Sequence, residues 1–238
     1  MSGLQRIDYR DGDTGLTGWL ARPSGPARGA LVVYPTIANV TALIERRATM
    51  LAEAGFLALI ADFYGEPVAD FEASKPLAEK LRADVDHYRQ RLSAALAVLR
   101  ELPGVGGLPI GAVGYCMGGQ AVLELARAGE ALALVASFHG ILSTGRKADQ
   151  PIRPRILVCH GDADPLVPRE QVAEFWEEMD AVAADWHFHA YSGVKHGFTD
   201  PGSDARGMAS IGYDASADRQ SWAALMNLCD EVFGPQSD

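Results

Sequence analysis

The six residues Gly114-Tyr115-Cys116-Met117-Gly118-Gly119 constrain the fold more than any other stretch of the chain. They follow an apolar run, Leu108–Val113, and precede a helix-patterned run, Gln120–Arg127. Small residues on both sides of a sharp strand-to-helix turn let neighbouring backbone pass close by, and the residue at the tip carries a strained conformation. A side chain held at that tip projects above the sheet. The N–H groups that follow it open a helix, where negative charge is favoured. This is the spacing of a nucleophile elbow, with Cys116 where Ser is more usual. A Gly-rich turn containing a cysteine also suits plain packing, so the functional reading needs partners from elsewhere in the chain.

Two later segments supply candidates. His160-Gly161-Asp162-Ala163-Asp164-Pro165-Leu166-Val167-Pro168 follows the strand-like run Arg155–Cys159. Lys195-His196-Gly197-Phe198 follows another, Trp186–Tyr191. Each puts a polar group just past the carboxyl end of a strand, where open α/β sheets build their sites. The chain order is nucleophile, acid, base, as in α/β-hydrolases and unlike chymotrypsin or subtilisin.

The remaining pattern alternates strands with helices. Ile7–Tyr9 and Leu16–Ala21 read as antiparallel strands around a turn at Asp11-Gly12-Asp13. Ala30–Tyr34, Phe56–Ala61 and Leu132–Phe138 are continuous apolar runs, as expected of strands covered on both faces. Helical spacing marks Ala42–Ala54, Val172 to Met179, and Trp222 to Phe233. Leu77, Leu81, Val85, Tyr88, Leu92, Leu96 and Leu99 form one long helical stripe ended by Pro103-Gly104. Asp200–Asp218, rich in Gly, Ser and Asp, reads as an exposed loop before the last helix. The expected class is α/β, a mostly parallel central sheet with helices on both faces. No repeat or linker divides the chain, so residues 1–238 are expected to form one domain.

Composition narrows the setting. A formal net charge of −10 argues against attraction to nucleic acid or anionic membrane. Cys116, Cys159 and Cys229 are odd in number and lack paired spacing, which fits a reducing compartment. Met1–Arg10 has no long apolar run, and no window reaches about 18 uninterrupted apolar residues, so the expected location is the cytoplasm. His187 and His189 alternate on one strand face, but no third ligand has matching spacing; neither a metal nor a cofactor is expected. Cys159 and Cys229 sit in apolar patterns and read as core.

The set Gly-Tyr-Cys-Met-Gly-Gly, Asp-Pro-Leu-Val-Pro and His-Gly-Phe, in this order on this pattern, resembles the dienelactone hydrolase (carboxymethylenebutenolidase-like) family of the α/β-hydrolase superfamily. The resemblance runs from about Gly18 to Phe233 and includes Ala61-Asp62-Phe63-Tyr64-Gly65 and Ser137-Phe138-His139-Gly140. It implies an α/β-hydrolase fold, with Cys116 as nucleophile, Asp164 as acid and His196 as base. Asp162 competes for the acid role; the Asp-x-x-Val-Pro spacing of the family favours Asp164. The backbone N–H of Met117 is the expected first oxyanion donor, and that of Ile37, in the loop after Ala30–Tyr34, the second. Thr36, Tyr115, His139 and Phe198 are the expected substrate-binding residues.

The implied reaction is hydrolysis of a small lactone or activated ester through a Cys116 acyl-enzyme. An acyltransferase or thioesterase on the same scaffold, and a non-catalytic small-molecule binding protein, are the alternatives. The expected partner is a small-molecule ester or lactone, and the expected assembly a monomer or homodimer. Two departures qualify the resemblance. Family members commonly carry Glu where this chain has Thr36, and an Arg four positions after the histidine where it has Asp200. An acid at Asp200 argues against a dianionic substrate if it faces the pocket. Lys75, Lys80, Arg82 and Arg146 are candidate replacements for the missing cation, and Glu72–Lys80 a candidate lid.

Overall fold

The structure, a computed structural model, describes residues 3–234. Positions 1–2 and 235–238, at the ends of the span expected to form one domain, lie outside the described residues. The strands are β1 (Gln5–Asp11), β2 (Thr14–Ala21), β3 (Gly29–Tyr34), β4 (Phe56–Ile60), β5 (Ile110–Tyr115), β6 (Leu134–Phe138), β7 (Arg155–Gly161) and β8 (Trp186–Tyr191). They form one eight-stranded sheet in the order β1-β2-β4-β3-β5-β6-β7-β8. β2 pairs antiparallel with both β1 and β4, and the other neighbours pair in parallel. The helices are α1 (Ala42–Glu53), α2 (Phe71–Arg82), α3 (Val85–Glu101), α4 (Met117–Arg127), α5 (Arg169–Ala181) and α6 (Ala215–Phe233).

Strand alternation explains why the central runs are apolar throughout. Leu31 and Val33 of β3 pack with Ile44 and Leu51 of α1 and Leu225 of α6. Val32 and Tyr34 enter the opposite core, with Leu92 and Leu96 of α3 and Val122 of α4. Every residue of β3, β4 and β6 is buried, as a strand covered by helices on both faces requires.

The order also sets where a site can form. From β3 the chain crosses through α1 to β4 on one side; from β5 it crosses through α4 to β6 on the other. The loops leaving β3 and β5 therefore diverge and open a crevice above the strand ends, at a topological switch point.

Two expectations are corrected. The stripe from Leu77 to Leu99 is two helices, because the Asp84 carboxylate accepts the N–H groups of Asp86 (2.8 Å) and His87 (3.1 Å) and starts α3 afresh. The Asp200–Asp218 segment is not all exposed loop. Asp214 caps α6 by accepting from Ala217 N–H (2.8 Å), and Asp218, one turn in, is buried against Arg47. Among the described residues no helix is long and apolar enough to cross a membrane.

Candidate active site

Cys116 sits between β5 and α4 with φ +56° and ψ −115°, a conformation that costs a non-glycine residue about 1–3 kcal/mol. The surrounding glycines show what holds it. A Cβ on Gly118 would lie 2.0 Å from the Tyr34 carbonyl oxygen, and one on Gly114 would lie 1.8 Å from the Gly118 oxygen. Strands β3 and β5 and the start of α4 thus meet backbone to backbone, which no larger residue permits. The Cys116 N–H donates to Phe138 O (3.0 Å) and His139 Nδ1 (3.1 Å). A ring accepting at Nδ1 carries its proton on Nε2, so His139 donates from there to Thr199 Oγ1 (2.9 Å). Burial first, then the His196 charge, pushes His139 well below the usual histidine range and keeps it neutral.

The Cys116 side chain is partly exposed at the floor of a mainly apolar cavity of about 360 Å³. His196 lines the same cavity from the loop after β8, where its backbone bonds to Ser210 O and Gly212 N–H hold it. Its Nδ1 lies 2.7 Å from Asp164 Oδ2, and both side chains are buried. The other Asp164 oxygen accepts the Leu166 N–H (2.9 Å). Asp162 turns the opposite way, onto exposed Arg169 (2.7 Å). His196 Nε2 is buried with no hydrogen-bond partner among the described residues, and it shares the cavity with the Cys116 thiol.

Charge follows from these contacts. Burial alone raises the Cys116 thiol, but the neighbouring His196 and the backbone N–H groups of Ile37 and Met117 outweigh it, so the thiol is lowered. Burial alone lowers His196; the Cys116 charge and the Asp164 hydrogen bond reverse this and raise it to about 10. At Cys159 and Cys229 burial outweighs the Tyr191 hydroxyl and the Arg28 charge respectively, and each thiol is pushed up to about 12. The site can therefore hold a thiolate beside an imidazolium, with the Ile37 and Met117 N–H groups favouring the charged sulfur.

The dienelactone hydrolase family matches residues 16–233. The chain belongs to this family. A dienelactone hydrolase-like promiscuous phosphotriesterase from metagenomic libraries superposes with TM-score 0.92 at 35% identity, over 96% of this chain and 98% of that one. A protein designated m3DLH does so at 0.91 and 37%, over 97% and 98%. A probable 2-oxo-3-(5-oxofuran-2-ylidene)propanoate lactonase of Bradyrhizobium is 30% identical over 203 residues, 79% of this chain and 80% of its own. As a dienelactone hydrolase family member, the chain is a hydrolase of carboxylic esters and lactones.

Around the cavity, the expected substrate-binding residues divide. Thr36 and His139 line the cavity. Tyr115 and Phe198 do not. Tyr115 precedes the cysteine, so strand alternation turns it to the other face, where it stacks on Phe138 (4.8 Å between centroids) under the Arg47 guanidinium. Phe198 lies buried between the rings of His139 (5.3 Å) and Tyr191 (5.5 Å). Of the candidate cations, Lys75 and Arg82 line the cavity from α2; Lys80 and Arg146 do not.

Arg206 lines it too, and nothing in the sequence pattern marked it: it sits on a single 3₁₀ turn, Asp204–Arg206, within the segment read as exposed loop. Asp200 does face the cavity, but its carboxylate is held on Arg206 (2.9 Å). Its charge is thereby compensated, and the argument it made against anionic substrates loses force.

Proposed function

We propose that this chain hydrolyses small lactones and activated esters through a Cys116 acyl-enzyme, with His196 and Asp164 completing the triad. The observation that carries the reading is one thiol and one imidazole lining a single mainly apolar cavity, with a buried carboxylate behind the imidazole and Ile37 and Met117 beside the thiol.

The thiolate adds to the carbonyl carbon, forming a C–S bond while the carbonyl oxygen takes up the negative charge. The Ile37 and Met117 N–H groups stabilise that oxygen. Collapse breaks the C–O bond, and His196 gives its Nε2 proton to the departing alkoxide or enolate. In a lactone the leaving oxygen stays tethered to the acyl group. Neutral His196 then takes a proton from water, the hydroxide adds to the thioester, and thiolate departs as the acid forms. Asp164 holds the Nδ1–H throughout and stabilises the imidazolium. Amides fit this site poorly, because an amine must be protonated well before it can leave.

The protein is proposed to act in the cytoplasm, as a single domain over residues 1–238 and as a monomer or homodimer; its three free cysteines support the reducing setting. Iodoacetamide tests the site. Alkylation at neutral pH should fall on Cys116, leave Cys159 and Cys229 unlabelled, and abolish ester hydrolysis in proportion. Full hydrolysis by a protein completely alkylated at Cys116 would reject the reading.

A further inference from the structure

The proposed oxyanion donor Ile37 stands on a loop, yet this loop is pinned from one direction. Residues Thr36–Asn39 form a turn closed by Asn39 N–H to Thr36 O (2.9 Å), with Asn39 at φ +61°. The Thr36 carbonyl shares its peptide plane with the Ile37 N–H, so this bond fixes the direction of that N–H. The next plane carries the Ile37 carbonyl, and the Tyr64 hydroxyl donates to it at 2.9 Å. The same hydroxyl lies 3.6 Å from Met117 Sδ, so one oxygen touches both residues whose N–H groups favour the Cys116 thiolate.

Tyr64 is itself held. Asp62 Oδ1 accepts the N–H groups of Tyr64 (2.9 Å) and Gly65 (3.0 Å) and the Asn39 side-chain amide (2.8 Å), while Asn39 Oδ1 accepts from Phe63 N–H (3.3 Å). The loop after β4 is therefore laced to the loop after β3 at three points. Burial keeps the phenol protonated, so it remains a donor across the working pH range.

Resting on the acyl-enzyme reading, we infer that Tyr64 is a positioning residue for the oxyanion hole: its hydroxyl pins the Ile37–Ala38 peptide while the Asn39 bond pins the Thr36–Ile37 peptide, so Ile37 is held on both sides and its N–H is aimed before substrate arrives. Donors of this kind help because they need no reorganisation at the moment of reaction, and removing one outright costs about 10²–10³ in kcat. Loosening one should cost less.

Tyr64→Phe removes only the hydroxyl. It is expected to lower kcat by about tenfold with KM within about twofold, and to raise the pH midpoint of Cys116 alkylation, since a misaimed N–H stabilises thiolate less. Asn39→Gly, which keeps the positive φ and removes the other lacing, should move both readouts the same way. Wild-type kcat and an unchanged midpoint in Tyr64→Phe would overturn the inference; so would a lowered melting temperature with kcat intact, which assigns Tyr64 to packing alone. Cys116→Ala run alongside separates the two failures: if that variant keeps full activity, the acyl-enzyme reading itself is wrong.

Discussion

At the floor of the cavity, Cys116 and His196, with Asp164 behind the imidazole, stand just past strand ends and are fixed by buried backbone; at its rim, Lys75 and Arg82 stand on a surface helix, Arg206 on a 3₁₀ turn and Met208 on loop. Beneath the floor, Arg47 of α1 bonds to Thr199 O (3.1 Å) and pairs with Asp218 of α6, and Thr199 in turn meets His139. The rim cations are exposed, and only Lys75 and Arg206 have a carboxylate partner among the described residues. On the proposed reading, chemistry that needs fixed geometry sits on the rigid part, and selectivity on the part where substitution costs little stability.

Substitutions at the two aspartates give the sharpest contrast. Asp164→Asn should lower kcat by about 10²-fold or more, through loss of the imidazolium partner. Asp162→Asn, two residues away and turned to solvent, should leave kcat within about twofold. Steady-state kinetics on a chromogenic ester decides; equal losses would mean that the triad is wrongly assigned.

The pH profile tests the charge pair. With the thiol lowered and His196 raised, the thiolate–imidazolium form exists between the two midpoints. On the acid side kcat/KM should fall about tenfold per pH unit as Cys116 gains its proton, from a midpoint below the free-thiol value of about 8.5. On the alkaline side it should fall as His196 loses the proton needed by the leaving group. The two midpoints belong to the pair rather than to either residue alone. A single rise centred near 8.5 would contradict the pair.

Stability should separate floor from rim in the same way. Arg47→Met leaves Asp218 buried without its main partner and should cost about 3–5 kcal/mol by denaturant unfolding. Arg82→Ala should leave stability unchanged within error and raise KM a few-fold for an ester bearing a negative charge, with little change for a neutral one. An equal effect on both esters would remove Arg82 from substrate selection.

What the sequence revealed follows the same division. The elbow, the order of the strands' polar ends and the apolar central runs are local patterns, and they located Cys116, Asp164 and His196 as neighbours before any coordinates. The family spacing alone favours Asp164 over Asp162, and the turn geometry adds that Asp164 meets His196 while Asp162 points to Arg169. Tyr115 and Phe198 were misassigned because adjacency in the chain to a site residue says nothing about facing. Arg206 lies ten residues after His196 but on a turn that no pattern marked, and Tyr64 lies in a segment of the family resemblance whose tie to the Ile37 carbonyl only the fold makes. The break between α2 and α3 was hidden because apolar spacing continues across it; only the Asp84 cap interrupts it.

The most direct test of the central claim is a quenched reaction with p-nitrophenyl acetate, read by mass spectrometry for wild type and Cys116→Ala. The account predicts an acetyl adduct on Cys116 in the wild type, with neither adduct nor turnover in the variant. Turnover by Cys116→Ala at the wild-type rate would contradict it.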